Sequence, residues 1–273
     1  MRYLCLTCEA LARPVYYCAA KSPHVIDVEL LQRGLHNQPI NLRARLQERI
    51  ALAEGQDYAG ILLVYGLCGQ ATAGLTALSI PLIIPRAHDC ITLFLGSRRR
   101  YQDQFEQHPG TYWYSQDYIE REDGSGASLS MGSVADALLQ TTYAELVEKY
   151  GKDNADYLME VMGAWQQHYQ RAVYIDMGIG SGESVERKAR EEAARRGWTY
   201  EQMAGDLALI CSLLDGQWNF ETTLPAQDRT PGDGHASNFL VVLPGQRIVM
   251  TGDQDILGTT QDDPYPWIGT AER

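Results

Sequence analysis

The sequence predicts an α/β fold: a parallel-sheet Rossmann-like architecture in two similar lobes joined by a helical bridge. Three observations carry that expectation. Short apolar runs alternate with amphipathic segments through the first hundred residues, the same rhythm resumes at Ala172 after a long interruption, and glycine- or cysteine-bearing turns follow several of the runs.

In the first half, strands are expected at residues 3–7, 24–29, 60–65 and 82–84, and helices at 9–20 and 41–54. Leu42, Leu46, Ile50 and Leu52 mark the apolar face of the second helix, with Arg43, Arg45 and Glu48 outside it. A β-α-β-α-β series of this kind favours parallel strands joined by right-handed crossovers. Residues 91–101 read as a helix and 102–126 as a polar, aromatic excursion ending in a loop. Two helices, 134–150 and 154–170, follow as the bridge. The second half then gives a strand at 172–176, a helix at 183–196, a strand at 198–202, a helix at 206–215 and a strand at 239–243. Residues 223–237 have loop composition, and 252–273 an extended tail packed by Tyr265 and Trp267. We place the domain division at 1–130 and 131–273.

Bulk properties narrow the function. The chain has 273 residues, 45% hydrophobic and 21% charged, enough for a substantial core. A net charge of -12 repels phosphate backbones and anionic lipid surfaces, so no nucleic-acid or membrane partner is expected. Arg98, Arg99 and Arg100 read as a solvated helix face. No apolar run reaches the ~18 residues of a membrane span, and the N-terminus lacks a leader pattern, so a cytoplasmic protein is expected. In that reducing compartment six cysteines are not a disulfide framework.

Three of these cysteines follow predicted strands: Cys8, Cys68 within Tyr65-Gly-Leu-Cys-Gly69, and Cys90 within Pro85-Arg-Ala-His-Asp-Cys90. Parallel strands end along one sheet edge, where ligands bind, so sulfurs distant in sequence can meet there. With His88 as a fourth donor, they meet the ligand count of a zinc site. Free cysteine is also a common buried apolar residue, and that reading stands beside the metal one. Cys5, Cys18 and Cys211 are expected in the core. His88 is a candidate base or ligand, Asp89 its orienting partner or the cap of the next helix, and Arg86 an anion-positioning group. Gly178, Gly180 and Gly182, between a strand and a helix, form a candidate anion-binding turn, although a lone glycine cluster is weak evidence and a plain turn explains them better. His24, His36, His108, His168 and His235 show no ligand spacing and read as surface residues.

The segments Arg33-Gly-Leu-His-Asn37, Tyr65-Gly-Leu-Cys-Gly69, Pro85-Arg-Ala-His-Asp-Cys-Ile-Thr-Leu-Phe-Leu-Gly-Ser-Arg98, Pro109-Gly-Thr-Tyr112, Tyr174-Ile-Asp176 and Gly205-Asp-Leu207 resemble a bacterial and archaeal domain family of unknown function. The resemblance covers nearly the whole chain. In that family the early cysteine is usually followed by glycine, where this chain has Glu9. Members often accompany corrinoid-dependent methyltransferase systems, which implies a one-carbon metabolic neighbourhood. The expectation is therefore a metal held by Cys8, Cys68, Cys90 and His88, with zinc first and a three-cysteine [4Fe-4S] cluster as the alternative. A small-molecule thiol or methylated compound would be the substrate. A non-catalytic accessory protein docking on a corrinoid protein or methyltransferase is the remaining alternative.

Overall fold

The computed structural model describes residues 1–121, 169–218, 238–251 and 255–261. It is a mixed α/β fold with a mostly parallel five-stranded sheet, a parallel three-stranded sheet and a two-stranded hairpin. In the first sheet β1 (Arg2–Cys8) lies between β2 (Val25–Leu31) and β3 (Gly60–Val64), followed by β4 (Leu82–Pro85), and all four strands are parallel. The helices α1 (Ala12–Lys21) and α2 (Pro39–Leu52) make the first two crossovers. Past β4, the α3 (Cys90–Leu95) and α4 (Arg98–Gln107) helices lead to the second sheet.

The second sheet pairs β5 (Thr111–Ser115) with β6 (Arg171–Asp176) and β6 with β7 (Thr199–Ala204). Short α5 (Gln116–Glu120) follows β5, α6 (Glu183–Arg196) follows β6, and α7 (Ala208–Leu214) follows β7. The chain then re-enters the first sheet. The strand β8 (Phe239–Val242) pairs antiparallel with β4, and β9 (Gln246–Met250) pairs with β10 (Leu257–Gln261) as the hairpin.

Alternation along the central strands builds the core. Leu62 and Val64 of β3 face one cluster with Val15, Phe94 and Leu213, and Trp113 and Val173 of the second sheet join that same cluster. Ile61 and Leu63 face the other cluster, with Leu42, Leu46 and Ile50 of α2 and Ile248 and Leu257 of the hairpin. Every residue of β3 is buried, as expected of a strand covered on both faces. Each Leu or Ile so enclosed contributes roughly 2 kcal/mol.

Several expectations are corrected. Leu52 does not share the buried face of α2 but is 56% exposed, because Leu42, Leu46 and Ile50 at four-residue spacing already fill the contact. The helix expected at 91–101 is two helices, broken where Gly96 turns left-handed at φ 66° and Ser97 caps the next. Tyr112, Trp113 and Tyr114, read as part of a loop, form the buried strand β5. Residues 239–243 belong to the first sheet rather than the second, and 257–261 are a hairpin strand rather than a tail. The helices expected at 134–150 and 154–170, the expected division near 130, and the loop at 223–237 lie outside the described residues, as do Tyr265, Trp267, His168 and His235.

The cysteine pattern needs one further correction. Cys18 of α1 and Cys211 of α7 are both packed in the core, as expected, but they are joined as a disulfide. The helices lie side by side, which brings together two residues 193 positions apart. Cys5, Cys8, Cys68 and Cys90 remain free thiols.

Candidate functional site

The order β2-β1-β3-β4 sends the chain from β1 first to one side and then to the other. At such a switch point the loops leaving neighbouring strands diverge and open a crevice at their carboxyl ends. Cys8 ends β1, Cys68 lies in the loop after β3, and Cys90 begins the helix after β4. Those three strands are adjacent, and all three cysteines line one pocket of about 600 Å³. Thus residues separated by 60 and 22 positions in sequence share one cavity.

The loops are tightly tied. Leu67 N–H donates to the Ala87 carbonyl at 2.8 Å and Cys68 N–H to the His88 carbonyl at 2.9 Å, extending the β3–β4 pairing into the loops. Gly66 makes this approach possible: a Cβ there would stand 2.6 Å from Asp89 N and 2.8 Å from its Cα. Cys68 itself adopts φ 47°, in the left-handed region that an L side chain rarely occupies. Strain of this kind, at a residue flanked by Gly66 and Gly69, marks a position where the side chain is retained despite its cost.

All three thiols are held protonated by their surroundings. Burial pushes Cys8 up to about 11, with the Ala10 amide and Arg33 opposing the shift and Glu9 adding to it. Burial pushes Cys68 up to about 12, helped by Asp89 and Cys8. Cys90 is raised well above 9.0, again by burial first and then by Asp89, Cys68 and Cys8. Bare thiols in this state are poor nucleophiles, whereas coordination to a soft cation deprotonates them outright.

Asp89 caps α3: one carboxylate oxygen accepts from Ile91 N–H at 2.9 Å and Thr92 N–H at 3.3 Å. Its other oxygen accepts from the Tyr101 hydroxyl at 3.2 Å, and burial raises its pKa. Both oxygens therefore serve structure. His88 is exposed, lines the pocket, and stacks on Tyr101 with ring centroids 5.5 Å apart. Arg86 does not face the pocket. Its guanidinium is buried against the hairpin, donating to the carbonyls of Leu257 and Asp255, with the Asp255 carboxylate at 4.0 Å.

Gly178, Gly180 and Gly182 lie at the carboxyl end of β6, on the second sheet, and do not line the pocket. Asp176 accepts from Gly178 N–H at 2.9 Å, and Gln116 of α5 donates to the Ser181 carbonyl at 3.1 Å, so this turn is braced by protein side chains.

Residues not anticipated as a site complete the pocket. Arg33 is 2% exposed, donates to the Tyr118 carbonyl at 2.6 Å, and lies 4.5 Å from the centroid of the Tyr118 ring. His36 Nδ1 is 2.6 Å from the Arg33 carbonyl, which can only accept, so Nδ1 carries a proton and donates there, and Nε2 lies 3.3 Å from the Tyr118 hydroxyl. Tyr65 lines the wall beside them. The signal for Arg33 and His36 was their closeness in sequence, three residues apart in Arg33-Gly-Leu-His36; scattered spacing among the other histidines masked it.

Among the described residues, no three His, Cys, Asp or Glu side chains are gathered closely enough to hold a metal ion. Also among the described residues, no helix is long and apolar enough to cross a membrane. No curated protein and no solved structure matches the chain. A family model described as a protein of unknown function, DUF1638, matches residues 30–214, a span that includes Cys68, Cys90 and most of the pocket wall, and the chain belongs to that family.

Proposed function

We propose that this chain is a metal-dependent protein that acts on a small molecule, with Cys8, Cys68 and Cys90 as the thiolate ligands of a centre at the pocket and His88 as an assisting donor. The observation that carries the reading is that three cysteines at the ends of three adjacent strands line one cavity. The donor set suits a soft or borderline cation. Zinc held by thiolates keeps a substrate thiol ionised and so activates it toward a methyl donor. In this reading the chain takes part in one-carbon or methyl-transfer metabolism, with a thiol or methylated compound as substrate. The two sheets, each parallel in its main strands, are then a pair of Rossmann-like lobes.

The alternative is a three-cysteine [4Fe-4S] cluster, whose irons these same thiolates would hold.

Elemental analysis and an absorbance spectrum of the anaerobically purified chain and its Cys90→Ser variant test the proposal. About one zinc per chain, lost in the variant, supports thiol activation; iron with sulfide, lost in the variant, supports the cluster. Neither metal in the native chain refutes both and leaves the accessory role beside a corrinoid protein or methyltransferase.

A further inference from the structure

One helix carries pocket wall at its leading end and a covalent tie toward its other end. Leu11, Val15 and Cys18 fall at i, i+4 and i+7 along the lead-in and body of α1, so they share one face, and all three are packed in the core. Leu11 lines the pocket beside Cys8 and Ala10. Cys18, about 10 Å further along the helix, is bonded to Cys211 of α7. That bond joins a crossover helix of the first sheet to the helix that follows the last strand of the second. Polar contacts add to it. Arg13 of α1 pairs with Asp117 of α5 at 2.7 Å, and the Ser22 hydroxyl, just past α1, donates to the Leu214 carbonyl at 2.7 Å.

We infer that the Cys18–Cys211 bond is a redox switch on the pocket: reduction by a dithiol frees α1 from α7 and loosens the Cys8 side of the cavity, while the chain stays folded. The inference rests on the reading of this pocket as the working site. Two observations favour a switch over a staple. Val15, Leu213 and Leu214 are packed in a large apolar cluster to which both sheets contribute, so the core does not depend on the bond. The two sulfurs also differ in access, Cys18 being 1% exposed and Cys211 only half-buried. A dithiol therefore attacks at Cys211. Its thiolate forms a mixed disulfide with the Cys211 sulfur, the Cys18 sulfur leaves and takes a proton, and the second thiol of the reagent displaces Cys211, which takes the other. Two electrons and two protons thus pass to the cysteine pair, and the dithiol ends as a disulfide. The loosening reaches one cysteine of the pocket and not the other two. Cys8 ends β1 and leads through the turn Glu9–Leu11 straight into α1. Cys68 is held by its amide to the His88 carbonyl, and Cys90 begins α3 under the Asp89 cap, so neither is continuous with α1.

Anaerobic equilibration of the metal-free native chain in graded mixtures of reduced and oxidised dithiothreitol, then desalting, brief labelling with iodoacetamide at mildly alkaline pH and peptide mapping, tests this, with near-ultraviolet circular dichroism following the fold. The bond is expected to be reduced with the folded signal retained. Labelling of Cys8 is then expected to quicken about ten-fold, the size of a modest local opening, with Cys68 and Cys90 unchanged. Cys18→Ser/Cys211→Ser is expected to fold and to label Cys8 at the fast rate whatever the redox conditions. A bond that yields only when the chain unfolds, equal Cys8 labelling in the two forms, an equal rise at all three cysteines, or a double variant that fails to fold or labels Cys8 slowly overturns the inference. The metal reading is scored separately, by the metal content of the untreated chain. A chain without metal whose Cys8 alone responds to the bond supports the switch while removing the metal centre.

Discussion

Replacing Cys68 by Gly and by Ala separates the role of its backbone from that of its sulfur. Both variants lose the thiol, so whatever the sulfur contributes to packing cancels in their comparison. They differ in how they tolerate φ 47° at this position. An L side chain in the left-handed region costs about 1–2 kcal/mol, and glycine avoids that cost. Glycine in turn loses about 0.5–1 kcal/mol more in chain entropy on folding. The balance favours Cys68→Gly over Cys68→Ala by about 1 kcal/mol. The loop stays held in both, because Cys68 N–H donates to the His88 carbonyl and its own carbonyl accepts from Ala71, and neither bond involves the side chain. In equilibrium urea unfolding with an m-value of about 3 kcal/mol/M, the glycine variant should unfold at a midpoint higher by about 0.3 M. Under the proposed metal centre, both variants should also lose the metal that Cys68 would hold. An alanine variant as stable as the glycine variant would refute the claim that this backbone is strained, and with it the argument that the thiol is kept at a cost.

Asp89→Ala removes two bonds to helix amides and strands the Tyr101 hydroxyl, and is expected to destabilise by about 2 kcal/mol, whereas Asp89→Asn keeps the cap and should lose less than half of that; thermal melts of the pair check it. Reduction of the Cys18–Cys211 bridge frees a loop of 193 residues and should lower stability by about 2–4 kcal/mol, and alkylation of the unreduced, denatured chain should label Cys5, Cys8, Cys68 and Cys90 alone by mass spectrometry. The thiols also set a pH dependence. With Cys8 raised to about 11 and Cys68 to about 12, the folded chain keeps protons that the unfolded chain releases near 9.0, so their contribution is complete below pH 9 and falls as pH rises from there toward about 12. Alkylation of the metal-free native chain by iodoacetamide should accordingly be slow at neutral pH; rapid labelling of Cys8 or Cys68 there would contradict their burial.

The parts of the fold written in local pattern were legible in the sequence. The apolar runs of β1, β3 and β4, the four-residue spacing of Leu42, Leu46 and Ile50, and the Asp89 cap each follow from neighbours a few positions away. What was not legible depends on partners distant in the chain. Tyr112, Trp113 and Tyr114 carry no alternation because β5 is buried on both faces, and only its pairing with β6 shows it to be a strand. Arg86 looks like a site residue beside His88 and Cys90, and only the arrival of the hairpin shows which way it points. Likewise the Cys18–Cys211 bridge depends on α1 meeting α7. The convergence of Cys8, Cys68 and Cys90 required strand order, which no local signal states.

Strand order also explains why these cysteines stand in fixed relation before anything binds. The β3 and β4 loops act as one piece, because Gly66 lets their backbones touch and two amide bonds continue the ladder through Leu67 and Cys68. Cys8 is fixed to that piece by β1, which pairs with β3 from Tyr3 to Thr7 and so ends one residue before the thiol. On the far wall the Arg33, His36 and Tyr118 contacts tie the turn after β2 to α5, closing the cavity with groups from the outermost parallel strand and from the second sheet's edge. A ligand entering this pocket therefore meets walls contributed by four consecutive strand ends, and the cost of arranging the thiols has been met largely by folding. This shared framework makes the pocket, rather than any single cysteine, the unit on which substitutions at Gly66 and Cys68 act.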